Sequence, residues 1–223
     1  MNEPTTPDFV LTRRHFFAGA AVLGAGLVAT ACGSDSATSR AATTGSPNTT
    51  TGNATATSAA AGNVDGKVAT LAAGLEVLAV GTYKAALDAA TAGKLGAVPP
   101  AVAEFVTAAM AQHQAHLDAW NGVITSAGGA TVTAPNATLK PVVDAAFAKV
   151  TDVTAAAQLA LLLEQTAAAT YLSAQQVLTD KSAIKLAGSI QIVDAQHAAI
   201  LLYVLGNYPV PDVFAKTDLA AAS

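Results

Sequence analysis

The stretch LEVLAVGTYKAA (residues 75–86) recurs in pattern 88 residues later as LEQTAAATYLSA (residues 163–174). Both copies carry Leu, Glu, Ala, Thr, Tyr and Ala at matching positions. Residues seven apart on an α-helix differ by only about 20° in direction, so Glu76 shares a face with Tyr83, and Glu164 with Tyr171. Those faces are otherwise apolar, and a carboxylate buried there is costly unless it is paired, hydrogen-bonded or bound to a metal. The repeat therefore predicts two similar helix hairpins, related by a pseudo-twofold axis, that face one central site.

The apolar spacing around the repeat is helical, and proline and glycine delimit four long segments. We expect helices at about residues 66–92, from Pro99-Pro100 to about 126, at 152–178 and at 182–205. The first and third connections are short, whereas the middle one, residues 127–151, is long and contains a candidate short helix. This connectivity predicts an all-α fold, a four-helix bundle with one long crossover between helices two and three. A plain up-and-down bundle with a decorated loop is the alternative.

Three of the four histidines lie in the predicted second and fourth helices. His113 and His116 are three residues apart, as are Asp194 and His197, and this spacing directs both members of each pair to one side of a helix. Helices one and three thus offer one carboxylate each, and helices two and four offer a ligand-x-x-His pair each. The candidate metal ligands are Glu76, His113, His116, Glu164, Asp194 and His197.

This arrangement resembles the ferritin-like superfamily, in particular exported bacterial ferritin-like domains, over about residues 66–206. Members of that superfamily surround a di-iron or di-manganese centre with a Glu from each of two helices and a Glu-x-x-His motif from each of the other two. The resemblance implies that Glu76 and Glu164 are the lone carboxylates and that His116 and His197 are the two histidine ligands.

The chain departs from the superfamily pattern at two positions, because His113 and Asp194 stand where Glu is usual. Three carboxylates instead of four leave two divalent ions with one uncompensated positive charge. Three imidazoles extend the choice of metal from iron or manganese to zinc, copper or nickel. One-metal and two-metal sites both stay open. Tyr83 and Tyr171 either hydrogen-bond to the ligands or serve as core aromatic residues with a polar tip.

The N-terminal segment is typical of an export signal. TRRHFFAGAAVLGAGLVATAC (residues 12–32) contains the pair Arg13 and Arg14, followed by an apolar run that ends in small residues. This pattern resembles a twin-arginine signal peptide, which we assign to residues 1–31. A membrane-spanning anchor is the alternative, but the run is shorter than the roughly 20 residues that a span needs.

Cys32 is the only cysteine, which excludes an intrachain disulfide. It follows VATA, which resembles a lipobox, although Ala29-Thr30-Ala31 also fits an ordinary signal-peptidase site that cuts the same bond. Because a free cysteine at the start of an exported protein is unusual, we expect Cys32 to be lipidated. Residues 32–65 are rich in Ser, Thr, Gly and Ala and predict a disordered tether. After this tether, we expect the helical bundle at residues 66–206 and a C-terminal tail at residues 207–223.

The composition argues against several classes of function. The chain has a formal net charge of −4 and no basic stripe, so we expect no nucleic-acid partner. The predicted bundle has no nucleophile with a base partner, no phosphate-binding loop and no cysteine metal motif. The expected partners are the twin-arginine export machinery, the membrane and metal ions, with the protein on the outer face of the cytoplasmic membrane or in the cell envelope. Homo-oligomerisation stays open.

Three functions remain compatible with the sequence. The first is a metal enzyme that oxidises a bound metal ion or reduces oxygen or peroxide. The second is a metal buffer or sensor without turnover, which the same ligands would serve equally well. The third is a structural or interaction lipoprotein with a degenerate metal site. Whether the protein is an enzyme is therefore undecided at this level.

Overall fold

A computed structural model describes residues 53–222, which form five α-helices and no β-strand. The helices are α1 (Asn53–Thr91), α2 (Pro100–Ser126), α3 (Lys140–Phe147), α4 (Val153–Ala174) and α5 (Lys181–Val204). The four long helices form the bundle, and α3 lies within the connection between α2 and α4. The predicted all-α fold is confirmed. No helix in this part of the chain is long and apolar enough to cross a membrane.

The export signal and the lipidation site fall outside the described residues. Arg13, Arg14 and Cys32 belong to this N-terminal part, as do residues 32–52 of the predicted tether. These assignments therefore stay predictions.

Proline, aspartate and glycine set the helix ends. Pro100 occupies the first turn of α2, where its missing N–H is not needed. Asp152 and Asp180 cap α4 and α5, since each side chain accepts a hydrogen bond of 2.8 Å from the backbone N–H three residues further on. Gly128 and Gly206, with φ of +82° and +77°, end α2 and α5 in the left-handed region that glycine adopts without strain.

Helix α1 begins at Asn53, earlier than the predicted residue 66. The segment 53–65 is rich in alanine, the strongest helix former, so it continues the helix backwards instead of remaining irregular. Asp65 also contacts the α4–α5 turn, where it accepts hydrogen bonds from the backbone N–H of Thr179 at 2.8 Å and of Asp180 at 2.9 Å. The predicted boundary between tether and bundle therefore lies inside a helix, and it must move toward the N-terminus.

The connection between α2 and α4 crosses the bundle from one end to the other. It starts near Trp120, which packs against the N-terminal half of α1. Midway, the backbone N–H of Asn136 donates a 2.9 Å hydrogen bond to the carbonyl of Gly74 on α1. It then reaches Phe147, which lines a cavity beside the C-terminal turns of α1. This path establishes the predicted crossover and rules out the plain up-and-down bundle.

The interior of the bundle has three zones along its axis. One end is a packed apolar core around Trp120, which is completely buried. The other end holds an apolar cavity of about 280 Å³. Buried polar and charged side chains occupy the middle, where all four long helices contribute one or more of them. Charged side chains are rarely buried in a protein core unless they are paired with another charge or with a ligand. This middle zone is therefore the candidate functional site.

Candidate metal site

The structure brings together all six side chains that the sequence singled out as candidate ligands. They come from four helices, and the two halves of the sequence repeat contribute Glu76 and Glu164. Five of the six are at most 4% exposed, and the side chain of His116 is 13% exposed. The six are Glu76 on α1, His113 and His116 on α2, Glu164 on α4, and Asp194 and His197 on α5.

His113 bridges the two glutamates of the repeat. Its Nδ1 lies 2.7 Å from Oε2 of Glu76, and its Nε2 lies 3.0 Å from Oε1 of Glu164. Both partners are carboxylates, so both ring nitrogens must donate, and the ring is an imidazolium. Burial alone would lower the pKa of His113, but its hydrogen bonds and the charges of Glu164 and Glu76 raise it well above the usual value.

The two glutamates are ionised despite their burial. Burial alone would raise the pKa of each carboxyl, but hydrogen bonds from histidine outweigh this effect. His113 and His197 lower the pKa of Glu164 to about 2. His113, His116 and Tyr171 lower the pKa of Glu76. The centre of the bundle therefore contains two carboxylates that are bridged by the imidazolium of His113.

The two tyrosines of the repeat each bind the glutamate of the other half. Tyr83 on α1 donates a hydrogen bond to Oε1 of Glu164, and Tyr171 on α4 donates one to Oε1 of Glu76. Burial first, and then the neighbouring carboxylates, raise the pKa of both phenols well above the usual value, so both remain protonated donors. Trp120 extends one side of this network, since its Nε1 donates to the Tyr171 hydroxyl at 3.0 Å.

Asp194 and His116 have polar atoms that no other group satisfies. Neither carboxylate oxygen of Asp194, nor Nδ1 of His116, has a hydrogen-bond partner in the described part of the chain. Nδ1 of His116 lies 3.8 Å from Oε1 of Glu76 and 3.9 Å from Oδ1 of Asp194. Burial, and then the charges of Glu76 and Glu164, raise the pKa of Asp194 well above the usual value. Buried polar groups are almost always satisfied, so these atoms indicate a missing partner.

His197 is oriented by Gln112, a residue that the sequence did not single out. Nε2 of His197 lies 2.6 Å from Oε1 of Gln112, and Nδ1 lies 3.2 Å from Oε2 of Glu164. The edge of Phe105 also packs against the His197 ring, with centroids 5.7 Å apart. Gln112 lies four residues before His116, so helical spacing places it on the same side of α2. A pattern of charged and imidazole ligands does not include it, because its side chain is a neutral amide.

The donor set suits a transition-metal ion. Two groups of side chains have ligand atoms within 4.8 Å of one another, and His113 belongs to both. Carboxylate oxygen and imidazole nitrogen are common ligands of iron, manganese, zinc and copper. An ion would also satisfy the unpartnered atoms of Asp194 and His116. The buried cluster is therefore compatible with metal binding, and its residues fit such an ion.

Comparison with known proteins gives one match. The sequence model of the family described as the ferritin-like domain matches residues 64–207, which is more than half of the chain and includes all six candidate ligands. The match begins just before Asp65, in agreement with the contacts of that residue to the α4–α5 turn. No curated protein matches the chain.

Proposed function

Because the chain belongs to the ferritin-like domain family, we propose that it binds a transition-metal ion in the middle of its helical bundle. The observation that carries this proposal is the carboxylate of Asp194, which is 0% exposed and has no partner for either oxygen among residues 53–222. An isolated buried carboxylate is strongly unfavourable, and a bound cation is a common solution. Nδ1 of His116 lies 3.9 Å from Oδ1 of Asp194 and 3.8 Å from Oε1 of Glu76, so it is near a carboxylate oxygen of each residue.

We place one ion, rather than two, at this site. The imidazolium of His113 already lies between Glu76 and Glu164 and neutralises part of their charge. This cation occupies the region between the two glutamates that a metal ion would otherwise bridge. The ligand atoms that lack a partner among the described residues are both carboxylate oxygens of Asp194 and Nδ1 of His116. Oε1 of Glu76 lies 3.8 Å from that Nδ1. A single ion bound by these three residues would leave the His113 bridge intact.

The surrounding side chains would hold the ligands in place. Tyr171 donates to Glu76, Tyr83 and His113 hold Glu164, and Gln112 contacts Nε2 of His197. Hydrogen bonds of this kind orient ligands and tune their basicity. A bound transition-metal ion would supply Lewis acidity and, for iron, manganese or copper, a change of oxidation state. The near-complete burial would keep bulk water away from the ligands.

Reaction with oxygen or peroxide is a second candidate function. The observation that favours it is the direct hydrogen bonding of two oxidisable phenols, Tyr83 and Tyr171, to carboxylates of the site. Consumption of oxygen or peroxide by the iron-loaded chain, compared with the Tyr83→Phe/Tyr171→Phe variant, tests this function. Equal rates in both proteins would show that the two phenols do not take part in this reaction.

We also propose that the domain acts outside the cytoplasm, tethered to the membrane. This proposal rests on the Arg13-Arg14 pair and on Cys32 after its apolar run. In a bacterial host, Arg13→Lys/Arg14→Lys should keep the chain in the cytoplasm. Cys32→Ser should release the exported chain from the membrane fraction. Membrane association that persists in Cys32→Ser, with the N-terminal segment uncut, would instead support a spanning anchor.

The metal proposal is tested by metal content. The chain is purified without chelator and metal per chain is measured by mass spectrometry, beside Asp194→Asn and His116→Ala. Asp118→Asn is the matched control, because it removes an exposed carboxylate from α2. We expect about one equivalent in the unaltered chain and in the control, and at least a tenfold loss in both site variants. No bound metal, or equal content in Asp194→Asn, would contradict the proposal.

A further inference from the structure

The apolar cavity at one end of the bundle is a second candidate binding site. It has a volume of about 280 Å³ and lies between the C-terminal half of α1, the start of α2, the start of α4 and the end of α5. Small side chains on the facing helices, among them Ala86, Ala90, Ala156 and Ala160, leave the space open. For comparison, an engineered apolar cavity of about 150 Å³ stays dry and binds benzene. Here the space is nearly twice as large.

The lining of the cavity has almost no free polar group. The hydroxyl of Thr82 donates to the carbonyl of Leu78 at 2.8 Å, and the hydroxyl of Tyr83 donates to Glu164. The remaining walls are alanine, valine, leucine, isoleucine and phenylalanine, apart from Tyr203 at the mouth. A polar ligand group inside this cavity would lose its hydrogen bonds to water without replacement. The part of a ligand that enters this cavity must therefore be a hydrocarbon chain or ring.

The length of the apolar lining favours a chain over a compact molecule. Its lining residues on α1 extend from Thr82 to Ala90, and those on α4 extend from Val153 to Leu163. At 1.5 Å per residue, these stretches span roughly 12 to 15 Å along the bundle axis. Tyr203 at the mouth is 73% exposed, so apolar surface continues from the interior to solvent. An apolar lining of this length, with one strongly exposed residue, suits an alkyl chain whose polar end stays in solvent.

We propose that this cavity binds a single alkyl chain, from a free fatty acid or from a membrane lipid. Its inner wall is formed by Tyr83 and Phe105, whose rings meet edge to face with centroids 6.3 Å apart. The same two side chains contact Glu164 and His197 on their other side. The inner end of the chain is thus one side chain away from the candidate metal ligands. Binding in the cavity itself does not depend on the metal.

The test uses the full-length chain and dodecanoate below its critical micelle concentration. Binding is measured by calorimetry, and stabilisation by the dodecanoate-induced change in melting temperature. Ala90→Phe fills the cavity from α1, and Ala156→Leu fills it from α4 as a second variant if the first does not fold. Ala119→Phe is the control, because Ala119 is exposed on α2 and does not line the cavity. All variants keep the same N-terminal segment, so differences between them report on the cavity.

We expect saturable binding to the unaltered chain and to Ala119→Phe, within twofold of each other, and at least tenfold weaker binding to the cavity-filled variants. Asp194→Asn should still bind dodecanoate, so this proposal and the metal proposal can fail separately. Phospholipid vesicles distinguish the two sources, because only a lipid-derived chain predicts vesicle binding that Ala90→Phe weakens. No binding by the unaltered chain, or equal binding by cavity-filled variants, would overturn the proposal. A concentration-dependent dimer abolished by Ala90→Phe, without dodecanoate binding, would assign the cavity to a second copy instead.

Discussion

The phenol of Tyr83 on α1 donates a hydrogen bond to the carboxylate of Glu164 on α4, and the pair Tyr171–Glu76 repeats this contact in the opposite direction. Each copy of the Leu-Glu-x₆-Tyr pattern thus supplies the donor that the other copy's carboxylate needs. This reciprocity explains in physical terms why the chain carries the pattern twice. Each glutamate also contacts a histidine of its own hairpin, but its phenol donor comes from the other copy, so the pattern couples α1 to α4 across the bundle.

Removing either tyrosine hydroxyl should destabilise the domain by a similar amount. Tyr83→Phe and Tyr171→Phe each leave a buried carboxylate short of one donor, which should lower the free energy of unfolding of the metal-free chain by about 1.5–3 kcal/mol. Tyr203→Phe is the control, since its side chain is exposed and should change stability by less than about 0.5 kcal/mol. Urea denaturation checks all three. A change at Tyr83 or Tyr171 no larger than the control's would contradict the reciprocal contact.

His113 should be the strongest single determinant of metal-free stability at the site. His113→Gln removes the cation between two buried carboxylates, and breaking such a pair costs about 3–5 kcal/mol. The neighbouring Gln114→Ala is the control, because Gln114 is exposed on the same helix. Chemical denaturation of both variants near pH 6 measures the difference. A loss below about 1 kcal/mol in His113→Gln would mean that the bridge is not formed.

Replacing the bridging imidazolium by a carboxylate should change the number of bound ions. His113→Glu removes one positive charge and adds one negative charge between Glu76 and Glu164, which restores the Glu-x-x-His spacing of the superfamily pattern. We expect metal content to rise from about one to about two equivalents per chain, with a metal-free state less stable than that of the unaltered chain. Metal analysis and melting with and without chelator measure both effects. One equivalent in both proteins would show that His113 does not limit the ion number.

Asp194→Asn should have opposite effects on stability and on metal binding. Its carboxylate is buried without a partner, so the neutral amide should make the metal-free chain more stable at pH 7, by roughly 1 kcal/mol or more. The same change should remove the metal and the stabilisation that it provides. Urea denaturation with and without metal, beside Asp118→Asn, separates these effects. If Asp194→Asn destabilises the metal-free chain, an unrecognised partner satisfies this carboxylate.

The metal-free domain should be most stable in mildly acidic solution. The lowered pKa of Glu164 stabilises the fold above the unfolded value of 4.5, and this contribution is lost as the pH falls toward about 2. The raised pKa of Asp194 stabilises the fold fully below pH 3.8, its unfolded value, and the raised pKa of His113 does so below pH 6.5. Both stabilising contributions are lost as the pH rises. These shifts place the maximum near pH 4.5, with the steepest decline above pH 6.5.

Urea midpoints from pH 3 to pH 9 in the presence of chelator check this profile. His113→Gln should remove the part of the decline that begins at pH 6.5, and Asp194→Asn the part that begins near pH 4. A maximum at neutral pH in the unaltered chain, unchanged in both variants, would contradict the assigned charge states.

Much of the fold could be predicted because its signals are local. The backbone preferences of Pro100, Gly128 and Gly206 mark a helix start and two helix ends, and the length of the segment between the two hairpins favours a crossover of the bundle. The start of α1 was placed too late because an alanine-rich stretch with serine and threonine is compatible with both a tether and a helix. The hydrogen bonds of Asp65 to the α4–α5 turn, at the predicted boundary, likewise cannot be read from local sequence.

The site could be predicted only as a set of residues on common faces. Helical spacing identifies Glu76 and Glu164 as facing inward, but it does not reveal that Tyr83 reaches across to the opposite glutamate. The double contact of His113 and the support of His197 by Gln112 depend on the rotation of each helix about its axis. The hydrogen bond from Trp120 to Tyr171 likewise follows from tertiary packing alone.

The central claim is that one transition-metal ion binds at Asp194 and His116 while His113 keeps the two glutamates apart. The most direct test is anomalous diffraction from a crystal of the metal-loaded chain, recorded on both sides of the metal's absorption edge. The account predicts one peak, located between the Asp194 carboxylate and Nδ1 of His116, with His113 still bridging Glu76 and Glu164. Two peaks with His113 displaced, or no peak within this cluster, would contradict it.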